Sequence, residues 1–452
     1  MTLGLVLLVT LVAFEALAVN TALPAAAEEL GGLGLYGWVF AAFLLATVAS
    51  IAFSGRVIDE RGLYPVLAIG VPLFCLGLLI GATAPSMPVL VGGRIVQGLG
   101  AGAISSVANV SIGRAYPPRL RAAMLAVMSS SWVVPGLVGP GLSALITSTF
   151  GWRWVFAALI PVVIGAALLT QPAVRPFGPN PTAPASGRRA SDALLVAVGF
   201  AFVIGGLSNA HDWWPLGFLA VGAVIAAPSL KRLTPPGTLR LAPGPPAAIA
   251  LNAVINFAFF STDAFMPLAV TDVRHRGVGF AGLALTFGAL SWTAGAWITA
   301  RMQRISTTVR VRVGFLCVGT GIGLVLTGLQ PNVPIVIFPI AWLVAGLGMG
   351  LGYQGLALVV MGAGDGDEDD GGPTGFVVAA RQIFDTLGNA TGTGIAGAIV
   401  AVAAAGSGAH PTKTALTIAF LVMIGVTLFG AAVSGRVQVR AAPVDAPPAT
   451  QH

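Results

Sequence analysis

An all-α integral membrane protein with fourteen spans is the fold class this sequence predicts, on three observations. The 452-residue chain is 56% hydrophobic and only 9% charged, against about 25% charged residues in a soluble globular protein. Its apolar residues fall in runs close to the ~20 residues that cross a bilayer as a helix, and the mean hydropathy is +0.90. Its 60 glycines suit helices packed in lipid, where small residues let backbones approach. An ordinary soluble enzyme is excluded.

The first run, 1–24, carries one ionisable side chain before Ala27, Glu15. It lacks a basic start and leads into another span, so it reads as an uncleaved anchor. Runs at 34–54, 65–84, 86–113, 121–147 and 152–170 complete a first block of six. A Pro-rich polar stretch follows, and then an apolar hairpin, 192–209 and 213–230. At its tip stands His211-Asp212-Trp213-Trp214, a pairing of tryptophans that suits a membrane interface. The second block runs through 246–271, 278–300, 311–329, 333–362, 373–404 and 413–434. The predicted organisation is an N-terminal six-helix domain (1–170), a cytoplasmic linker (171–191), an extra transmembrane hairpin (192–230), a second linker (231–245), a C-terminal six-helix domain (246–434) and a cytoplasmic tail (435–452). Twelve spans with an interfacial hairpin is the competing topology. Two blocks of six point to an internal repeat, common among transporters. Aligning Pro24 with Pro267 sets Asp263 opposite Asn20.

Lys and Arg placement gives the orientation. With the N-terminus inside, seventeen of the 23 Lys and Arg fall on inner turns or the tail. Arg153, Arg274, Arg276 and Lys413 fall outside, and Arg94 and Arg381 lie within spans. Both termini are then cytoplasmic, and the pI near 10.2 is accounted for without nucleic acid. The two cysteines, Cys75 and Cys317, sit in apolar runs and form neither a disulfide framework nor a metal site.

Glu15 organises the functional reading. A carboxylate in a span costs roughly 2.5–3.5 kcal/mol on insertion scales and usually faces a bundle interior or wet cavity, where it serves ion or proton movement. Helix 4 supplies Arg94-Ile95-Val96-Gln97-Gly98, with Arg94 and Gln97 on one face. Glu15 lies ~14 Å below the outer face, counted from Pro24, and Arg94 ~12 Å, counted from Ser86, at 1.5 Å per residue. Similar depth allows them to pair. Pairing and protonation are then alternatives for the same carboxyl. A static ion pair is the competing reading.

Three further stretches join these. Helix 1 reads Glu15-x-Leu17-x-x-Asn20-x-Ala22-Leu23-Pro24. The turn after helix 2 reads Gly55-Arg56-Val57-Ile58-Asp59-Glu60-Arg61-Gly62. Helix 5 reads Pro135-x-x-x-Gly139-Pro140-x-x-Ser143-Ala144. Gly55 and Gly62 are read as allowing a tight turn, and Pro135 and Pro140 as kinking helix 5. Together with the Arg94–Gln97–Gly98 segment, these resemble the motifs of the major facilitator superfamily, in particular its fourteen-span drug/proton antiporters. They cover helices 1–5. The resemblance implies the major facilitator fold, a small-molecule substrate exchanged for protons, and a conformational latch at Gly55, Asp59, Arg61 and Gly62. It implies an antiporter motif at Pro135, Gly139 and Pro140. The sequence departs from the pattern at Leu17, where Thr is usual, at Leu63 and Tyr64, where basic residues are usual, and at Pro135, Ser143 and Ala144, where glycines are usual.

In the second block, Arg381 and Asp385 stand one helical turn apart and can neutralise each other or serve substrate or proton. Asp385 lies ~18 Å into its span. Asp263 lies nearer the outer face, as an entrance residue or second proton site. Proton-coupling candidates are therefore Glu15, Arg94, Asp263 and Asp385. Small-molecule walls are usually apolar and aromatic. The candidates are Phe14, Phe43, Trp38, Trp132, Phe260, Trp292 and Tyr353, with Asn20, Gln97 and Arg381 as polar members.

Other patterns are discounted. Gly392-x-Gly394-x-x-Gly397 has no preceding strand and reads as helix packing. The stretch from Asp365 to Asp370 lacks glycine at the sixth position of a calcium loop and glutamate at the twelfth, and reads as a solvated loop. The four histidines make no metal spacing, and no nucleophile elbow appears. The expectation is a monomeric, cofactor-free, non-enzymatic efflux protein of the cell membrane, with lipid, a small molecule and protons as partners. A metabolite exporter, a symporter, a non-transporting sensor and a membrane enzyme are the alternatives.

Overall fold

The structure, a computed structural model, describes residues 2–117, 124, 127–128, 131–179, 187–208, 215–301, 305–362, 373–407 and 413–438. The hairpin tip at 211–214, the acidic stretch 365–370 and most of the tail lie outside them.

Every regular element among the described residues is helical. The first block is α1 (Thr2–Leu30), α2 (Tyr36–Arg61), α3 (Leu63–Thr83), α4 (Met87–Ala115), α5 (Val133–Phe150), α6 (Arg153–Ala157) and α7 (Leu159–Val174). The hairpin is α8 (Gly187–Ser208) and α9 (Pro215–Leu233). The second block is α10 (Pro245–Leu268, continued by a π turn, Ala269–Val273), α11 (Val278–Arg301), α12 (Thr307–Gly328), α13 (Ile337–Gly362), α14 (Pro373–Ser407) and α15 (Lys413–Val433). Thirteen helical segments are long and apolar enough to cross a membrane. The fourteenth is the shorter apolar Val134–Phe150.

The two blocks repeat one packing scheme. In the first, α2 and α3 pack on α4, α1 on α5 and α7, and α3 on α7. In the second, α11 and α12 pack on α13, α10 on α14 and α15, and α12 on α15. The blocks meet reciprocally: α2 lies on α14, and α11 on α5. Hairpin helix α8 packs on both α2 and α14. Ala193, Val196, Ala197 and Ile204 join Ala41, Leu45, Val48, Leu387 and Ala390 in one buried cluster.

Close approaches rest on glycine. A Cβ on Gly37 would lie 2.6 Å from the Gly397 Cα, and one on Gly388 2.3 Å from the Ala253 carbonyl oxygen. Gly392 and Gly394 abut Phe257 and Ile204, so the discounted Gly-x-Gly-x-x-Gly run is a packing surface.

Two local expectations are corrected. Gly55 is helical, because α2 continues to Arg61, and the turn rests on Gly62 alone, with φ +90°. A Cβ there would meet the Phe177 carbonyl oxygen at 2.5 Å. Pro135 lies in the first turn of α5, where its missing N–H breaks no helical bond; Pro140 is the proline inside that helix.

Candidate functional site

Glu15 and Arg94 form a buried ion pair between α1 and α4. Glu15 is 0% and Arg94 2% exposed. Arg94 Nη1 donates to Glu15 Oε1 and to Gln97 Oε1, the latter at 2.8 Å, and Nε donates to the Val39 carbonyl at 3.0 Å. The guanidinium stacks 4.2 Å over the Phe43 ring. The second carboxyl oxygen, Glu15 Oε2, is buried and accepts no hydrogen bond among the described residues. A free oxygen on a buried carboxyl is where a proton would add. The packing of α1 on α4 thus brings the two intramembrane charges of the first block into contact.

The helix 5 stretch flanks this pair. A Cβ on Gly139 would sit 3.6 Å from Phe14, Ser143 Oγ donates to the Ala18 carbonyl at 2.7 Å, and Gly282 of α11 abuts the Pro140 carbonyl. Thus α5 lies on α1 within its block and on α11 across the seam.

Asn20 and Asp263, paired by the repeat, meet. Asn20 Nδ2 donates to Asp263 Oδ2 at 2.5 Å, and Trp342 Nε1 to Oδ1 at 2.8 Å. Tyr36 Oη donates to the Ala264 carbonyl at 3.2 Å nearby. These bonds join the blocks at the end of the bundle remote from Arg56, Arg114, Arg232 and Arg301, each in the last turns of its helix.

A second polar cluster lies between α10, α13 and α14. Asp385 accepts from Asn256 Nδ2 at Oδ1 and from Tyr353 Oη at Oδ2, both at 3.0 Å. Arg381 stacks 4.6 Å over the Tyr353 ring. No Arg381–Asp385 ion pair forms among the described residues; both carboxyl oxygens are engaged by neutral donors instead. Phe259, Phe260, Trp292 and Tyr353 make a continuous aromatic group.

The remaining candidates are dispersed. Trp38 packs against the α2–α8–α14 cluster, and Trp132 is 49% exposed at the start of α5. Both stand apart from the aromatic group because the hairpin and the helix 5 terminus claim them. Asp59 and Arg61 lie in the last turn of α2, where neighbouring Arg56 and Glu60 pair at 2.7 Å. Sequence reasoning missed Asn252, Asn256 and Trp342. Two asparagines four residues apart in an apolar span were the available signal.

A family profile described as Major Facilitator Superfamily matches residues 5–393. The "Probable multidrug-efflux transporter Rv1634" of Mycobacterium tuberculosis is 26% identical over 428 residues, 89% of this chain and 88% of that protein. The "Multidrug transporter protein MdtP" of Bacillus subtilis is 24% identical over 409 residues, 88% of this chain and 74% of that protein. Among solved structures, a POT family transporter in complex with 5-aminolevulinic acid superposes with a TM-score of 0.67 at 13% identity, over 96% of this chain and 97% of that one. A variant of the nucleoside transporter NupG superposes at 0.64 and 14%, over 97% of this chain and all of that one. With the family profile spanning nearly the whole chain, this multi-pass membrane protein belongs to the major facilitator superfamily, and it is a transporter rather than an enzyme.

Proposed function

We propose that the protein expels small amphipathic molecules across the cell membrane in exchange for protons. The two six-helix blocks are the domains that rock about a central path, and both termini face the cytoplasm. The basic helix ends are then cytoplasmic, and the Asn20–Asp263 end is outer. The bonds joining the blocks at that end fit a state closed to the outside. The chain works as a monomer in this reading. The multidrug-efflux relatives, similar over most of their length, support export as the direction.

The observation that carries the proton half of the proposal is the Glu15–Arg94 pair. It is fully buried, one carboxyl oxygen is open, and α1 reaches the other block through Asn20. Separation of the pair frees Glu15 to take a proton, and re-pairing expels it. Substrate and proton can each shift the balance of states only by their differential affinity for them. Asp263, at the closed end, and Asp385, beside Arg381, are further protonatable positions along this path, and Asp59 with Gly62 would latch the cytoplasmic side.

Inside-out vesicles with an acidified lumen test the proposal. Adding substrate should release lumenal protons from vesicles containing the protein and not from empty ones. Substrate flux without proton movement would contradict it.

A further inference from the structure

We propose that Arg381, with Asn252 and the Tyr353 ring, forms a binding site for the acidic group of an amphipathic anion, such as an aromatic carboxylate or sulfonate. This names the substrate class of the exporter and rests on that reading.

Unsatisfied donors mark the site. Arg381 Nε and Nη2 are buried and have no hydrogen-bond partner among the described residues. These two nitrogens form one edge of the guanidinium fork, the edge that takes both oxygens of a carboxylate side by side. Asn252 is 0% exposed, and its amide nitrogen and oxygen also lack partners among the described residues. Such groups are seldom left unpaired in a folded protein.

Register places them together. Asn256 bonds Asp385 across the α10–α14 seam. Asn252 and Arg381 each stand four residues earlier, one turn back along the same pair of helices. Three of the open groups are donors, and one is an acceptor. A cationic ligand would find little here, whereas an anion meets a charged fork and an amide.

The nearby carboxylate does not occupy the fork, whose Nε and Nη2 are unpartnered among the described residues, and its oxygens accept from Asn256 and Tyr353. Tyr353 holds Arg381 on its ring and continues through Trp292 to Phe260 and Phe259. An acidic head at Arg381 therefore has an apolar, aromatic surface beside it for its body.

The test measures binding to the full chain in zwitterionic nanodiscs, by tryptophan quenching, with naphthoate, its neutral amide and naphthylmethylammonium. Naphthoate should bind at least about tenfold more tightly than the amide, equivalent to about 1.4 kcal/mol, and the ammonium most weakly. Arg381→Gln should abolish this preference while amide binding persists, which shows that the variant is folded. Arg381→Lys should lose most of it, because an ammonium lacks the fork. Asp385→Asn, which removes a like charge, should tighten naphthoate binding, a gain that misfolding does not produce. Equal affinities, no naphthoate binding, or a preference surviving Arg381→Gln would overturn the site. If the preference depends on Arg381 but vesicles show no flux, the exporter reading fails and the site stands.

Discussion

Glu15 and Arg94 are the charges that lipid would penalise most, and each offsets the other's desolvation. Removing one partner of such a buried pair costs about 3–5 kcal/mol, because the remaining charge is uncompensated. Arg94→Ala should therefore lower the melting temperature of the purified protein in detergent more than Arg94→Lys, which keeps a charge but forfeits the Val39 contact made by Nε. Equal melting of the two variants would contradict that view of the pair. Asp263→Ala strands two donors, the Asn20 amide and the Trp342 indole, at about 1–3 kcal/mol for each buried group left unpaired. The loss should appear as lower thermal stability, and replacing Asn20 with an apolar residue in the double variant should recover part of it. The Glu15–Arg94 contact was legible in the sequence because opposite charges within two spans are costly unless they meet, although α1 runs on to Leu30, past the Pro24 from which depth is counted. Asn252 and Asn256 were not, because their meaning depends on the register of α10 against α14, which no local pattern encodes.

At the scale of the helices, glycine positions decide how closely neighbours lie. Gly388→Ala pushes a Cβ into the Ala253 backbone, whereas the atoms nearest a Cβ on Gly394 belong to the Ile204 side chain. Backbone does not yield, so Gly388→Ala should destabilise by about 1–3 kcal/mol, the range for overpacking, and Gly394→Ala by less. Denaturation of both variants side by side checks the order, and the reverse order would show that α10 and α14 are not held by this contact. Helix number and sequence were readable from apolar runs, which track length and solvent directly. Helix ends were less so. Gly55 looked like a turn residue because glycine permits turns, yet α2 retains it and the positive φ falls on Gly62. The place of the hairpin was not readable at all. Its apolar faces suit lipid and protein equally, and only the assembled cluster shows α8 against α2 and α14.

For the whole molecule, the repeat is visible in matching helix contacts, and the Asn20–Asp263 bond ties the two blocks together. A Cβ on Gly34 would stand 3.6 Å from the Ala401 Cβ, within the ~3.5–4.5 Å spacing of a disulfide. In a protein lacking Cys75 and Cys317, Gly34→Cys with Ala401→Cys should cross-link on oxidation and stop turnover until reduced. Full transport by the cross-linked protein would mean that the blocks do not part at this contact. The most direct test of the central claim records proton and substrate movement together in proteoliposomes of wild type and Glu15→Gln, which keeps the side chain's shape without its charge. The account predicts that wild type exchanges protons for substrate, while Glu15→Gln still binds substrate and moves no protons against it. Undiminished proton exchange by Glu15→Gln would contradict it.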